Sequence, residues 1–327
     1  MKILVTGGSG FVGSHVIDKL QASGHEPRNF DLVPSPYANG RNVETFIGDL
    51  RDGDAVTRAV RGCDAVLHLA AIADVNKVVE NPVAAEEINV RGTTILLEAA
   101  RREGLQRFVY ASTVWVYGNE TDSSAVTEES PIALPTHFYT ATKLAGEMYA
   151  RSYTTLYDLP HTILRFGIPY GPRARAAAVL AAFVARAREG KALSIAGDGA
   201  QTRQFVYAAD LADGVVASLA PAATNRVYNL VRDETVSIRQ IADIVRELVA
   251  DVPIIHGAQR HGDVQLAHVS GERAADELDW RAGTAFAEGA RRYVESLTAT
   301  NGSPSERATS MIDGKAATVL AQEPVEL

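Results

Sequence analysis

The first 21 residues, MKILVTGGSGFVGSHVIDKLQ (residues 1–21), place a short apolar run, a glycine-rich turn and a helix-forming stretch in succession. The run from Ile3 to Thr6 predicts a buried strand, and the stretch from Val12 to Ala22 has the periodicity of a helix. The glycines between them stand at the GxGxxG spacing, as Gly8, Gly10 and Gly13. An isolated match often only turns the chain. A strand before the turn and a helix after it favour a dinucleotide-binding site, with a pyrophosphate at the helix N-terminus.

Strand-like and helix-like segments continue to alternate through the first half of the chain. The predicted strands lie at residues 65–71, 107–112 and 162–166, and the predicted helices at 83–102 and 139–156. Alternation of this kind predicts an α/β fold, a doubly wound parallel sheet of the Rossmann type with helices on both faces. Residues 65–69 and 108–111 are apolar at nearly every position, which is typical of central strands buried on both faces.

The pattern becomes less regular after Pro172. Helices are predicted at residues 176–188 and 237–249, around a glycine-containing loop, and this favours a smaller C-terminal substrate lobe. We therefore assign residues 1–172 to an NAD-binding Rossmann domain and residues 173–297 to a substrate-binding lobe, with segments that can return to the first domain. Residues 298–327 are polar, rich in turn formers and without periodicity, so they are interpreted as a tail outside the fold.

Composition excludes several classes of protein. In 327 residues, 46% are hydrophobic and 22% are charged, which is ordinary for a globular protein and argues against wholesale disorder. A formal net charge of −8 argues against a nucleic-acid partner. The only cysteine, Cys63, excludes an intramolecular disulfide and a cysteine-based metal site, and no metal is expected. No apolar run approaches the ~20 residues of a membrane span, so the expected location is the cytoplasm.

Asp31 closes the segment that follows the first predicted helix, about twenty residues after the glycine turn. An acidic residue there accepts hydrogen bonds from the adenosine ribose of a dinucleotide. Its carboxylate also repels a 2′-phosphate, which favours NAD over NADP. The alternative is a solvated turn aspartate, and the glycines that precede Asp31 favour the ribose role.

Tyr139 and Lys143 are four residues apart on a predicted helix, so their side chains share one face. A tyrosine with an ordinary pKa of about 10 is a poor base at neutral pH. A neighbouring lysine and an oxidised nicotinamide, both cationic, stabilise its phenolate. Such a pair by itself often only decorates a helix surface, but the dinucleotide fingerprint favours a catalytic pair.

The buried strand that precedes residue 114 ends in two residues with hydroxyl side chains. Ser112 and Thr113 fall at its carboxyl end, where doubly wound folds bind their ligands. Thr113 is expected to contact a substrate hydroxyl and to relay its proton. The alternative for Thr113 is a strand-end threonine that caps a turn.

With these motifs in order, the chain resembles the extended short-chain dehydrogenase/reductases of the NAD-dependent nucleotide-sugar epimerase/dehydratase family (UDP-glucose 4-epimerase-like), from Met1 to about Ser296. The resemblance rests on the segments TGGSGFVG at residues 6–13, GDL at 48–50, HLAA at 68–71, NVRGT at 89–93, YTATK at 139–143 and YGPR at 170–173. It implies that NAD is the cofactor. It also implies a homodimer formed through the helices near residues 93–102 and 139–156, although those apolar faces could instead be covered by the sheet.

The predicted site residues combine the motifs with the resemblance. The catalytic residues are Thr113, Tyr139 and Lys143. The cofactor-binding residues are Gly7, Gly10, Phe11, Val12, Gly13, Asp31, Asp49, Leu50, Leu69, Ala70, Ala71, Asn89, Ser112, Tyr139, Lys143, Phe166 and Ile168. The substrate-binding residues are Ala73, Thr113, Arg203 and Arg260. The two arginines stand in segments that resemble the family's diphosphate-binding elements, and a guanidinium binds phosphate oxygens in pairs. His68 is interpreted as a strand-end residue without a catalytic role.

Two features of the sequence distinguish this chain from many members of the family that it resembles. Ile168 stands where relatives commonly carry an asparagine that contacts the nucleotide diphosphate. Relatives that dehydrate or decarboxylate carry acidic residues just after the strand-end hydroxyl, whereas this chain has Val114, Trp115 and Val116. The prediction is an NAD-dependent epimerase that inverts C4 of a nucleotide-activated sugar, a UDP-hexose or a UDP-uronate, through a 4-keto intermediate. The alternatives are an NAD(P)-dependent nucleotide-sugar reductase or dehydratase, and a non-catalytic NAD-binding protein on the same fold.

Overall fold

The computed structural model describes residues 1–37, 43–118, 125–258 and 268–299. The strands are β1 (Lys2–Thr6), β2 (Glu26–Asp31), β3 (Glu44–Ile47), β4 (Ala65–His68), β5 (Arg107–Thr113), β6 (His161–Phe166), β7 (Ile168–Tyr170), β8 (Leu193–Ala196), β9 (Thr202–Tyr207), β10 (Arg226–Leu230), β11 (Thr235–Ser237) and β12 (Ile254–Gly257). The helices are α1 (Phe11–Ala22), α2 (Gly53–Val60), α3 (Val75–Glu80), α4 (Pro82–Glu86), α5 (Gly92–Arg102), α6 (Phe138–Tyr157), α7 (Val179–Arg188), α8 (Ala208–Ala217), α9 (Ile238–Leu248), α10 (Glu272–Leu278) and α11 (Phe286–Ala299).

Seven strands form one parallel sheet in the order β10-β6-β5-β4-β1-β2-β3. The direction in which the chain adds strands reverses between β1 and β4. In doubly wound sheets this switch point opens a crevice at the carboxyl ends of the strands, where ligands bind. The predicted Rossmann architecture is confirmed, and the glycine turn after β1 lies at this crevice.

Hydrophobic clusters cover both faces of the large sheet. Consecutive residues of β1 point to opposite faces, and Ile3 and Val5 pack with α1 while Leu4 packs with the cluster of α2 and α5. All residues of β4 and β5 are buried. Burial on both faces explains why these strands are continuous apolar runs rather than alternating ones.

The smaller lobe contains a three-stranded sheet, β11-β9-β7, and a two-stranded sheet, β12-β8. Its core gathers aromatic rings, and the rings of Tyr170 and Phe286 stack with centroids 4.6 Å apart. The chain returns to the large sheet after entering this lobe, because β10 pairs with β6 and α8 packs against α1. Part of the segment beyond Pro172 therefore belongs to the Rossmann unit.

Several element boundaries differ from those predicted. The strand predicted at residues 65–71 ends at His68, and the helix predicted from residue 176 begins at Val179. The helix predicted at residues 83–102 is interrupted by a π-helical turn over Glu87–Arg91. Helix α11 extends to Ala299, past the predicted start of the tail, and residues 300–327 lie outside the described residues. Among the helices in the described ranges, none is long and apolar enough to cross a bilayer.

Candidate active site

The glycine turn after β1 is packed so closely that side chains are excluded. Gly7 has φ +73°, and a Cβ there would lie 2.9 Å from the backbone nitrogen of Ala70. A Cβ on Gly13 would lie 2.1 Å from the carbonyl oxygen of Gly7. Helix α1 begins at Phe11, and its N-cap residue Gly10 has no side chain to cap it, so the partial positive charge of the helix N-terminus is available to a ligand.

A cavity of about 350 Å³ opens at the switch point and is bounded by this turn. Its walls include eleven of the predicted cofactor-binding residues, namely Gly7, Gly10, Phe11, Val12, Gly13, Asp31, Asp49, Leu50, Leu69, Ala70 and Ala71. Ala73, predicted to contact substrate, also lines it. Ligand pockets commonly measure ~300–1,000 Å³ and combine apolar walls with a few fixed polar groups. The cavity therefore fits a dinucleotide, with phosphates at the glycine turn and an acidic residue along the wall.

Asp31 ends β2 on the wall of this cavity. Its Oδ2 accepts the Ser9 N–H at 3.0 Å and its Oδ1 accepts the Leu32 N–H at 2.7 Å. Burial raises the pKa of the Asp31 carboxyl above its ordinary value, while these backbone hydrogen bonds oppose the shift. The carboxylate is thus held in one orientation beside the glycine turn, as ribose recognition requires.

Buried hydrogen bonds fix the loop that forms the opposite wall. His68 lies between the hydroxyls of Thr6, 2.7 Å from Nδ1, and Thr93, 2.9 Å from Nε2. Thr93 donates its own hydrogen to the carbonyl of Asn89 at 2.6 Å, so Nε2 of His68 is the donor and Nδ1 the acceptor. Burial lowers the pKa of His68 to about 3, which keeps the ring neutral.

Asn89 makes a second set of hydrogen bonds to the same wall of the cavity. It sits in the π-helical turn, where its Oδ1 accepts the Ile72 N–H at 2.8 Å and its Nδ2 donates to the Ile72 carbonyl at 3.0 Å. Nδ2 also donates to Thr142 Oγ1 at 3.1 Å. Asn89 does not line the cavity. It connects the loop that contains Ile72 to α6, the helix that carries Tyr139 and Lys143. Single π-helical turns are often found at functional sites.

Tyr139 and Lys143 lie in the first two turns of α6, on one face. Burial raises the pKa of Tyr139 to about 12, and the charge of Arg175 partly opposes this. Burial lowers the pKa of Lys143 to about 7, and the Glu147 carboxylate partly opposes this. Nζ of Lys143 lies 4.6 Å from the centre of the Tyr110 ring. A phenolate at Tyr139 therefore requires that a positive charge be held nearby.

Thr113 ends β5, and its Oγ1 accepts the Trp115 N–H at 3.3 Å. It therefore caps the following 3₁₀ turn, as the alternative interpretation of this residue expected. A hydroxyl that accepts one hydrogen bond is still able to donate another, so this contact leaves a proton-relay role open to Thr113. The side chain of Ser112 faces the other side of the strand and donates to Glu147 Oε1 at 2.5 Å.

Among the described residues, the remaining predicted site residues are not part of the cavity lining. Six of the predicted cofactor-binding residues do not line the cavity, namely Asn89, Ser112, Tyr139, Lys143, Phe166 and Ile168, and neither does Thr113. Ile168 instead packs on the core of the smaller lobe. Arg203 lies on β9, where Nη1 donates to the carbonyl of Thr202 at 2.7 Å. Arg260 lies outside the described residues.

The sequence predictions missed five cavity residues with polar side chains, Tyr37, Asp74, Lys77, Arg173 and Arg175. Arg173 has the left-handed φ of +68°, donates to Asp18 at 2.9 Å, and lies over the Tyr37 ring at 4.7 Å from its centre. The YGPR segment at residues 170–173 could have suggested it. In the described part of the chain, no three His, Cys, Asp or Glu side chains gather as metal ligands would.

Comparison with known proteins places these features in a family. The model of the NAD dependent epimerase/dehydratase family matches residues 3–230. The UDP-glucose 4-epimerase of Mycolicibacterium smegmatis is 33% identical over 309 residues, covering 90% of this chain and 98% of that protein. The dTDP-D-glucose 4,6-dehydratase of Mus musculus is 29% identical over 315 residues, covering 90% and 88%.

A solved structure of a family member agrees with the fold described above. The UDP-glucose 4-epimerase of Thermotoga maritima, crystallised with UDP-glucose, superposes with a TM-score of 0.86 at 29% identity, covering 92% of this chain and 99% of that one. The matched region includes the glycine turn, the cavity and the Tyr139/Lys143 helix, and NAD is the family's cofactor. The chain therefore belongs to the NAD-dependent epimerase/dehydratase family.

Proposed function

We propose that this protein is a nucleotide-sugar 4-epimerase that acts on a UDP-hexose or a UDP-uronate. The observation that carries the proposal is the apolar segment directly after Thr113. Val114 and Val116 are buried in an apolar cluster, and the Trp115 ring lies against His137 with centroids 5.6 Å apart. No carboxylate stands at these three positions to promote elimination or decarboxylation. Epimerisation is the family reaction that requires no such group.

The side chains of the site suffice for the proton movements of this reaction. Tyr139 removes the proton of the sugar 4-hydroxyl, directly or through Thr113, and later returns it. Lys143 stabilises the phenolate by its charge. NAD, when bound along the cavity walls at Asp31 and the glycine turn, supplies an acceptor and then a donor for the C4 hydride. Reduction of the 4-keto sugar on its opposite face would give the 4-epimer.

Binding of the nucleotide diphosphate is assigned to Arg203 and Arg260, both predicted from motif resemblance. The bound UDP-glucose of the Thermotoga maritima enzyme supports a nucleotide-sugar substrate. We also propose a homodimer that covers α6, because Phe138, Tyr149 and Leu156 lie along one line of this helix and are 44%, 38% and 68% exposed. A solution mass of two chains, measured by light scattering, would support the dimer, and a single-chain mass would exclude it.

A substrate deuterated at C4 tests the epimerase proposal directly. We expect the 4-epimer to keep its deuterium and no NADH to accumulate, because the same hydride leaves C4 and returns to it. The measurement is mass spectrometry and proton NMR of products from a panel of UDP-, dTDP- and GDP-sugars.

Each competing activity gives a different product in the same experiment. Consumption of added NAD(P)H would indicate the reductase, and an unsaturated or decarboxylated sugar would indicate elimination or decarboxylation. Loss of label with release of NADH would indicate a dehydrogenase. No turnover of any sugar by NAD-loaded protein would favour the non-catalytic alternative.

Asp31→Ala is expected to weaken NAD binding by about 10-fold or more, because hydrogen bonds to a charged group contribute ~1.5–3 kcal/mol. NADP binding should fall less, since Asp31 repels the 2′-phosphate. Asp31→Asn is the comparison variant, because it removes the charge and keeps one acceptor oxygen for the Ser9 N–H, while its NH2 group replaces the oxygen that accepts the Leu32 N–H. Isothermal titration with both cofactors measures the difference. Tighter binding of NADP than of NAD by the wild type would contradict the ribose role.

A further inference from the structure

A completely buried ion pair joins helix α6 to strand β6, one helical turn beyond Lys143. The Glu147 and Arg165 side chains are 0% and 1% exposed. Nε of Arg165 donates to Oε1 at 3.0 Å and Nη2 donates to Oε2 at 2.7 Å. Glu147 follows Lys143 by four residues and Tyr139 by eight, so the three side chains project from one face of the helix.

The pair connects the catalytic helix to the strand that ends in Thr113. Ser112 donates a third hydrogen bond to Glu147, at 2.5 Å. On the far side, Nη1 of Arg165 donates to the Tyr117 hydroxyl at 2.8 Å, and Tyr117 donates to Asn229 Oδ1 at 2.7 Å. Buried ion pairs can often be replaced by apolar residues without loss of stability. The burial of this pair is therefore weak evidence for a purely stabilising role.

The charged and titratable groups around Lys143 come from three elements. They are Tyr139 and Glu147 on α6, the face of the Tyr110 ring on β5, and His68 on β4. His68 and Tyr139 are neutral at pH 7, and the Tyr110 ring offers only its π-face to the ammonium. Glu147 supplies the negative charge that favours the charged form of Lys143. Arg165 and Ser112 bind the same carboxylate and so reduce the charge that reaches Lys143.

We propose that Glu147 is a positioning residue that keeps Lys143 charged beside Tyr139, and that Arg165 and Ser112 set how strongly it does so. The effect of Glu147 on turnover rests on the proposed function, because that function takes Lys143 as the group that stabilises the Tyr139 phenolate. Its effect on the charge of Lys143 does not depend on any substrate, so the two ideas are tested separately.

Glu147→Leu combined with Arg165→Met removes the pair without leaving one charge buried alone. The titration midpoint of Lys143, about 7 in the wild type, should fall by about one pH unit. At pH 7 the charged fraction then drops from half to about a tenth, so kcat should fall about fivefold. The deficit should shrink as the pH is lowered, and KM should change little. The titration is followed independently by the pH dependence of urea unfolding of the full-length chain.

Ser112→Ala should shift the same midpoint in the opposite direction. It deletes one hydrogen bond to Glu147 and leaves the Arg165 pair intact, so more negative charge reaches Lys143. This variant decides the question if the double variant does not fold. Glu277→Gln is the control, because the Glu277 carboxylate lies on α10, outside this network, and accepts the Tyr228 hydroxyl at 2.7 Å. Its Lys143 midpoint should equal that of the wild type.

Opposite shifts in the double variant and in Ser112→Ala, with no shift in Glu277→Gln, support the proposal. Folded variants whose Lys143 midpoints match the wild type would overturn it, whatever their activity. Shifted midpoints in the unfolding experiment without any effect on turnover would leave the electrostatic link intact and would contradict the proposed catalytic use of Lys143.

Discussion

Replacing Tyr139 with Phe is expected to reduce turnover by several powers of ten while the protein keeps its NAD. The phenol is the group proposed to remove and return the sugar hydroxyl proton, and loss of a general base alone costs ~10²–10⁴ in rate. Burial already raises the pKa of Tyr139 to about 12, so the enzyme must stabilise the phenolate for Tyr139 to act as a base. Phenylalanine has no hydroxyl that could be deprotonated. The measurement is kcat with the best nucleotide sugar, together with the NAD content of the purified protein.

Tyr149→Phe provides the matched control for this experiment. Tyr149 lies on the same helix, on the face proposed to form the dimer and outside the cavity lining. If the variant keeps the solution mass of the wild type, loss of this hydroxyl should leave both NAD content and turnover near wild-type values. Retention of more than a tenth of wild-type turnover in Tyr139→Phe would assign the base to another group.

Lys143→Met is expected to make the protein more stable at pH 7 and to reduce turnover by ~10² or more. Burial lowers the pKa of Lys143 from 10.5 to about 7. Between these pH values the unfolded chain binds one more proton than the folded chain, so the free energy of unfolding of the wild type rises with pH. The slope for one proton is about 1.4 kcal/mol per pH unit. Methionine carries no charge to bury, so its variant should lack this slope.

The gain from Lys143→Met should be on the order of 2–4 kcal/mol at pH 7 and should vanish towards pH 10. Urea unfolding between pH 7 and pH 9 measures it, below the range in which ordinary tyrosines and lysines titrate. Lys191→Met is the control, because Lys191 has a side chain 63% exposed and should show no such difference. Equal pH slopes in the wild type and Lys143→Met would show that Lys143 is not held in a desolvated position.

The sequence was sufficient for features that depend on local spacing. The glycine turn, the Asp31 position after it, and the four-residue separation of Tyr139 and Lys143 are local patterns, and the structure places the first two on the cavity wall. Continuous apolar runs identified β4 and β5 as central strands, because only strands covered on both faces lack alternation. These patterns report which residues are buried and which share a face, so the fold class followed from them. The family was implied by the resemblance of the motifs to those of known enzymes.

Tertiary structure alone decided which distant segments meet. No local pattern shows that β10 joins the sheet beside β6, or that Arg173 and Arg175 line the NAD cavity. Ser112 was predicted to contact the cofactor, yet its side chain faces Glu147, because neighbouring residues on a strand point to opposite faces. The Glu147–Arg165 pair joins residues 18 positions apart on different elements. The periodicity of a sequence predicts which residues are buried, but it does not predict which residue of another element each of them contacts. The Glu147–Arg165 ion pair and the electrostatic environment of Lys143 therefore arise only when the helices and strands pack together.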